Sequence, residues 1–390
     1  MCNDPQHILL LEPYYGGSHK AFLLGLQQQL DDRFTLLSLP ARKWKMRMQL
    51  AAPWFAQRIV EMIAQSNTQS NAQSNAQDNT QDNGNCFDGI LTSTFLDVAV
   101  LRSLLAAQGI HIPVVMYFHE NQFSYPGQQH DPGIFQFASI NFTSALCADR
   151  LAFNSRYNLE TFLTGIRFYL KKSADMELCH LEEQIRAKSV ILYPGIDFQQ
   201  IDAQLEDKMG EGEKKEPIIV WNHRWEHDKD PDTFFHTLFA LAQDTSFQVI
   251  VLGQHFRHQP EIFAQAKTVL GKRLIHLGYV KSREEYARLL TRGDFIVSTA
   301  RHEFFGISVL EGVRAGCRPV VPDRLSYREL FPKEYRYSEG ELEEHLRQLF
   351  ATPRSLTKDE ARKLTEAHSW PILGPRYQKW LGFKRMRVCE

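Results

Sequence analysis

Arg-His-Glu-Phe-Phe-Gly-Ile-Ser-Val-Leu-Glu, residues 301–311, sets two glutamates around an apolar run that holds one glycine. The run before it, Asp294–Thr299, has the continuous apolar character of a buried strand. After Gly306, the residues Ile307, Leu310 and Val313 recur at helical spacing. The pattern predicts a strand, then a loop carrying Glu303, then a helix carrying Glu311. Carboxylates accept hydrogen bonds from hydroxyl groups, and a helix N-terminus attracts phosphate. A ligand that presents sugar hydroxyls beside a diphosphate, as a sugar nucleotide does, needs that combination.

The same strand-and-helix alternation extends outward in both directions. Ile8–Leu11, Thr35–Leu39, Gly89–Thr92, Val114–Phe118, Leu151–Asn154 and Val190–Tyr193 form a first series of strand-like runs. Ile218–Trp221, Gln248–Leu252, Leu274–Leu277, Phe295–Ser298 and Pro319–Val321 form a second. Continuous apolar strands separated by helices indicate parallel sheets covered on both faces, so an α/β chain of two doubly wound domains is expected. The break falls near Pro194-Gly195-Ile196-Asp197, with a charged stretch at Glu206–Glu216 that reads as a solvated connection. The expected division is residues 1–194, residues 195–370, and a terminal helix in 371–390 that packs back on the first domain. Residues 65–83 repeat Gln-(Ser/Asp)-Asn-(Ala/Thr) with no large apolar side chain. Such a stretch cannot bury enough surface to offset its ordering entropy, and reads as a surface insertion or a polar extension of the preceding helix.

Composition narrows the function. The chain has 390 residues and a formal net charge of -1, so no global basic field draws it onto nucleic acid; an RNA partner must be met by a local patch. Its six cysteines include no Cys-x-x-Cys pair, which argues against zinc or redox chemistry and for reduced thiols. A short polar lead runs into His7–Pro13 without a signal-type apolar segment, and no apolar run approaches the length of a membrane span. A cytoplasmic protein with no membrane partner is the expectation.

Four further segments carry polar chemistry at expected strand ends. Gly16-Gly17 lies between the first strand and its helix, where bare backbone N–H groups approach an anion closely. His119 leaves another strand into the polar cluster Glu120-Asn121-Gln122, the start of a loop that runs on to Pro126. Arg224 and Lys229 sit five apart in a loop before a helix, where two cations suit a diphosphate. The triplet Asp228-Lys229-Asp230 matches an Asp-x-Asp metal pattern only superficially. Arg42-Lys43-Trp44-Lys45, after the second strand, alternates cations with an aromatic ring as phosphate contact plus base stacking would require; a basic surface helix is the alternative. The run Lys384-Arg385-Met386-Arg387 points weakly the same way.

Together these pieces resemble the retaining GT-B glycosyltransferases of the GT4 family. Glu303 and Glu311 reproduce its Glu-x7-Glu motif, and Arg224 and Lys229 match its diphosphate pair. Ala315-Gly316-Cys317-Arg318-Pro319-Val320 resembles the helix-to-strand turn that follows, while Gly16-Gly17 and His119 fall where that family keeps a glycine loop and an active-site histidine. A narrower resemblance spans almost the whole chain. Leu10–His19, Leu39–Trp44, Phe118–Gln122 and His302–Gly306 are similar to the tRNA-queuosine α-mannosyltransferase family. Phe304 after the first glutamate, and Asn222-His223-Arg224 in place of Gly-Arg, depart from the broad pattern in ways the narrower family shares.

The resemblance implies two Rossmann-like domains facing a central cleft. It implies transfer of mannose from GDP-mannose to queuosine at the wobble position of an aspartate tRNA, with retention and without a cofactor or metal. His119, Glu303, Arg224 and Lys229 would then serve the reaction. Gly16, Gly17, Asn222, Phe305, Gly306, Ile307 and Glu311 would bind the donor, Glu311 through the ribose. His19, Arg42, Lys43, Trp44, Lys45, Asn121 and Gln122 would meet the acceptor. Three other readings share the pattern: a GT4-like enzyme with a lipid or polysaccharide acceptor, a sugar-nucleotide epimerase, and a non-catalytic RNA-binding protein.

Overall fold

The structure, a computed structural model, describes residues 5–73, 86–124, 134–172, 174–207, 216–254, 260–351 and 355–383. The chain forms two units, Met1–Gly195 with Leu373–Glu390, and Ile196–Ile372. Each is built on six strands, all paired in parallel.

In the first unit the strands are β1 (His7–Tyr15), β2 (Arg33–Pro40), β3 (Gly89–Ser93), β4 (Val114–Phe118), β5 (Arg150–Phe153) and β6 (Ser189–Ile191), in spatial order β2-β1-β3-β4-β5-β6. Every residue of β3 and β4 is buried, which is why β4 is continuously apolar rather than alternating; the polar end of β3 is satisfied instead, Thr92 donating to the Leu11 carbonyl and Ser93 to Glu12. The strand order reverses between β1 and β3, so the loops after these two strands diverge and leave a crevice at their carboxyl ends. The helix Trp370–Leu381 ends in this unit: Tyr377 donates to the Tyr193 carbonyl at 2.8 Å and Arg376 to that of Ile191 at 3.0 Å. Phe383 lies against Gly89, where a Cβ would come within 2.2 Å of its ring.

The second unit has β7 (Ile218–Asn222), β8 (Gln248–Leu252), β9 (Leu274–Gly278), β10 (Phe295–Val297), β11 (Arg318–Pro322) and β12 (Arg336–Tyr337), in the order β12-β11-β10-β7-β8-β9. Here the reversal lies between β7 and β10. The two-residue β12 has no counterpart among the expected strands, because Arg-Tyr carries no apolar run. The strand expected at Asp294–Thr299 is shorter at both ends: Asp294 caps the start of β7 by accepting from the Ile218 N–H at 2.8 Å, and the chain turns away after Val297.

The polar repeat divides. Through Gln73 it prolongs the helix Trp44–Gln73, with Ser66 and Thr68 donating to carbonyls one turn back; 74–83 lie outside the described residues. Glu206 and Asp207 close the helix Gln199–Asp207, and the rest of the expected connection up to residue 215 also lies outside them, as do Tyr125, Pro126 and the basic run 384–387.

Candidate active site

The fold places the second unit's polar residues at the β7/β10 reversal. The segment after β10 crosses the turn after β7: the Arg301 and His302 N–H groups both donate to the Asp228 carbonyl, and the Thr299 hydroxyl donates to that of Lys229 at 2.8 Å. This crossing brings Lys229 against Glu303. Lys229 is 6% exposed; its ammonium donates to the His302 carbonyl at 2.6 Å and lies 3.2 Å from Glu303 Oε2 and 3.1 Å from Asp228 Oδ2. Burial alone would drive Glu303 toward its neutral acid, but the Lys229 charge overrides this and holds the carboxyl below its usual range. Burial likewise opposes the Lys229 charge, and Glu303 and Asp228 restore it, raising its pKa.

His223, next to them, is buried, and its Nε2 has no hydrogen-bond partner among the described residues. Burial, then the Lys229 charge, lowers its pKa to about 4, so the ring is neutral at pH 7. Only glycine fits behind it: a Cβ on Gly253, at φ +132°, would lie 1.8 Å from the His223 carbonyl oxygen.

Beyond Glu303 the chain turns through Gly306, at φ 112°, into the helix Ile307–Arg314, which has no side-chain N-cap. The Ser326 hydroxyl donates to the Phe305 carbonyl at 2.7 Å and fixes this turn. One turn into the helix, Glu311 accepts from Arg283 at 2.5 Å on one oxygen and from the Tyr286 hydroxyl at 2.5 Å on the other. Asn222, at the end of β7, donates to the Tyr286 oxygen at 2.7 Å and to the Ser308 carbonyl at 3.1 Å. Glu311 therefore carries a fixed carboxylate with lone pairs left over for further donors. Arg283 and Tyr286 were not among the residues singled out from the sequence. Their spacing puts them on one face of the helix Arg283–Thr291, but only the fold joins that face to Glu311, 28 and 25 positions on.

In the first unit, Gly16 packs so tightly that a Cβ would sit 2.5 Å from the Ala41 Cβ, and Gly17, at φ +51°, opens the helix Gly17–Gln29. His119, at the end of β4, is buried, its carbonyl held by the Asn154 amide at 2.6 Å. Its ring lies 4.0 Å from that of His19.

Several expected contacts take other partners. Arg224 and Lys229 are not an equivalent pair: Arg224 is about half exposed and pairs with Glu226 at 3.1 Å. His19 does not face outward toward an acceptor; it is 4% exposed and lies between Glu12 and Glu120. Asn121 is fully buried, donates to Asn158 and Thr161, and accepts from the Phe123 and Ser124 N–H groups. It staples its own loop, as does the Gln122 N–H, which donates to Asn141. A buried amide must find protein partners, and the Asn121 side chain has done so. Trp44 packs edge-on against Phe137 at 5.1 Å in a small cluster with Met48 and Phe95, so its ring is not a free stacking platform. Arg42, Lys43 and Lys45 stay exposed, with Lys45 over the Trp44 ring at 5.7 Å. Asp230 caps the helix Pro231–Leu241 through Thr233 and pairs with Arg301 at 2.8 Å; with Asp228 committed to Lys229, the Asp-x-Asp triplet is built into the loop. No group of three His, Cys, Asp or Glu side chains suited to a metal occurs among the described residues.

Residues 7–196 match the family described as tRNA-queuosine alpha-mannosyltransferase N-terminal, and residues 204–363 match glycosyl transferases group 1. A tRNA-queuosine alpha-mannosyltransferase of Drosophila melanogaster is 34% identical over 346 residues, 86% of this chain and 84% of its own. The chain belongs to the tRNA-queuosine alpha-mannosyltransferase family. It is a glycosyltransferase with the two-domain α/β fold called GT-B. A GDP-mannose:cellobiosyl-diphosphopolyprenol alpha-mannosyltransferase of Xanthomonas oryzae is 24% identical over 135 residues, 34% of each chain. Among solved structures, Anabaena HepE in complex with UDP superposes with a TM-score of 0.67 at 13% identity, covering 96% of this chain and 99% of its own. Sucrose-phosphate synthase from Thermosynechococcus elongatus does so at 0.65 and 13%, covering 96% and 98%. At such identities these two report the fold alone. No described helix of this family member is long and apolar enough to cross a membrane.

Proposed function

We propose that the protein moves mannose from GDP-mannose to the queuosine of tRNA, at the wobble position of an aspartate tRNA, with retention at the sugar carbon and without a metal. The observation that carries this reading is the buried contact of Lys229 with Glu303 at the β7/β10 reversal, with Glu311 fixed one helical turn beyond Gly306. The Drosophila and Xanthomonas relatives support it: both are named mannosyltransferases, one for queuosine in tRNA and the other for GDP-mannose.

In this reading Glu311 accepts from the ribose hydroxyls and Glu303 from mannose hydroxyls. Lys229 and the N–H groups at the start of the helix Ile307–Arg314 face the diphosphate, and Arg224 swings from Glu226 to join them. As the glycosidic bond breaks, negative charge grows on the diphosphate, and these preorganised donors stabilise it by about 3 kcal/mol each. The positive charge they supply substitutes for a divalent ion. The acceptor hydroxyl enters on the face the diphosphate leaves, a diphosphate oxygen takes its proton, and the configuration is kept. His119, which the resemblance assigns to the reaction, offers one donor and one acceptor from its neutral ring. Because Lys229 touches Glu303 directly, its hold on the diphosphate is coupled to the hold on the sugar.

Thermal-shift measurements with GDP-mannose, UDP-glucose and GDP should show preferential stabilisation by GDP-mannose. Radiolabelled mannose should then pass to queuosine-containing tRNA and not to unmodified tRNA. Donor turnover with no acceptor, or transfer to a polyprenol lipid in place of tRNA, would overturn the reading.

A further inference from the structure

We propose that His19, clamped between Glu12 and Glu120, is a positioning residue for His119: a permanent imidazolium that keeps the neighbouring ring neutral and in one orientation. His19 Nδ1 lies 3.1 Å from Glu12 Oε2, and Nε2 lies 3.3 Å from Glu120 Oε2. The remaining oxygens of both carboxylates already accept: Glu12 Oε1 from the Ser93 hydroxyl at 3.0 Å and the Tyr14 N–H at 2.8 Å, Glu120 Oε1 from the Thr94 hydroxyl at 2.6 Å. Ionised carboxylates only accept, so a ring bonded to one on each side needs a proton on both nitrogens. That is the cationic form. Burial would expel the charge, but the two carboxylates outweigh it and raise the His19 pKa to about 10.

His119 meets this cation face to face, with ring centres 4.0 Å apart and planes tilted by 32°. Phe22 and Tyr117 close the ring in edge-on, at 5.0 and 4.7 Å. Among the described residues, the ionisable groups around the pair are Glu12 and Tyr14 from β1, Glu120 from the loop of His119 itself, and Tyr117 from β4. The Tyr117 phenol is held neutral by burial and donates to the Leu192 carbonyl. A proton on His119 would set two buried cations in contact. Burial first, and the His19 charge second, hold His119 well below its ordinary range. A neutral imidazole offers one donor and one acceptor. That suits a group which steadies hydroxyls.

The inference rests on the transferase reading for its activity readout, and a second readout is independent of it. Replacing His19 by glutamine removes the cation and leaves the carboxylates, so the His119 pKa rises. Activity of His19→Gln should be lost as pH falls, along an acid limb displaced upward by about one pH unit or more from that of the wild type. A profile parallel to wild type with a lower ceiling would mean a structural role and sink the proposal. In 15N-histidine spectra of the wild-type protein, from about pH 6 to about pH 8, His19 should show two protonated nitrogens and His119 the neutral pattern. His119 titrating near its ordinary value, or a neutral His19, would overturn the idea even if the variant does not fold. Wild-type protein that transfers no sugar would refute the transferase reading, and the spectra would still decide this one.

Discussion

Replacing Lys229 with methionine should separate what this residue does for folding from what it does for the reaction. Its ammonium stands 3.2 Å from Glu303 and 3.1 Å from Asp228. At an effective dielectric constant of about 20, each contact is worth about 5 kcal/mol in Coulomb attraction. The carboxylate side chains are 20% and 15% exposed, so water recovers part of that once the ammonium is gone. Stranding two mostly buried carboxylates should cost about 3 kcal/mol, the lower end for a one-sided break of a buried pair. Lys229→Met/Glu303→Gln removes one of the stranded charges, so the double variant should be more stable than the sum of the singles by about 1 kcal/mol or more. Urea unfolding of all four proteins measures this. Turnover should behave otherwise: kcat falls by about 100- to 1,000-fold in Lys229→Met, and the second substitution does not restore it. Stability changes that add to within about 0.5 kcal/mol would refute the coupling, and with it the idea that sugar and diphosphate contacts share one ion pair.

Arg224→Ala should leave stability within about 0.5 kcal/mol of wild type, because the side chain is half exposed, yet lower kcat by about 100-fold. If activity persists, the assignment of Arg224 to the diphosphate is wrong. Asn121→Ala should destabilise the first unit by about 2 kcal/mol, because it strands several buried partners, with little change in acceptor KM; the reverse result would restore Asn121 as an acceptor contact. Stability should also depend on pH, with the raised and the lowered histidines acting in opposite directions. His19 has a folded pKa of about 10, above its unfolded value of about 6.5, so its contribution is full below pH about 6.5 and declines as pH rises toward 10. His223 and His368 are lowered to about 4, so theirs is present above pH about 6.5 and is lost as pH falls toward 4. Hydrogen exchange at pH 5, 7 and 9 checks both: protection around His19 that does not fall between pH 7 and 9, or protection around His223 and His368 that does not fall between pH 7 and 5, would contradict these assignments.

What the sequence determined by itself is local. Apolar runs such as Val114–Phe118 and Val249–Leu252 mark buried parallel strands, because a strand covered on both faces is apolar on both rather than alternating. The step from Glu303 on a loop to Glu311 on a helix is legible from one glycine and a helical period. Tertiary structure alone decided which polar groups meet. Strand order puts β10 beside β7 and so brings Glu303 to Lys229 across 74 positions, and β4 carries Glu120 to His19 across 101. Arg224 and Lys229 look alike in the sequence, yet one is half exposed and the other buried. Asn121 and Trp44 look like ligand contacts, yet both pack inward. Hydrophobic periodicity reports which face of an element is covered. The partner of a buried charge or amide depends on which loops the sheet brings together, and its burial makes that partner obligatory.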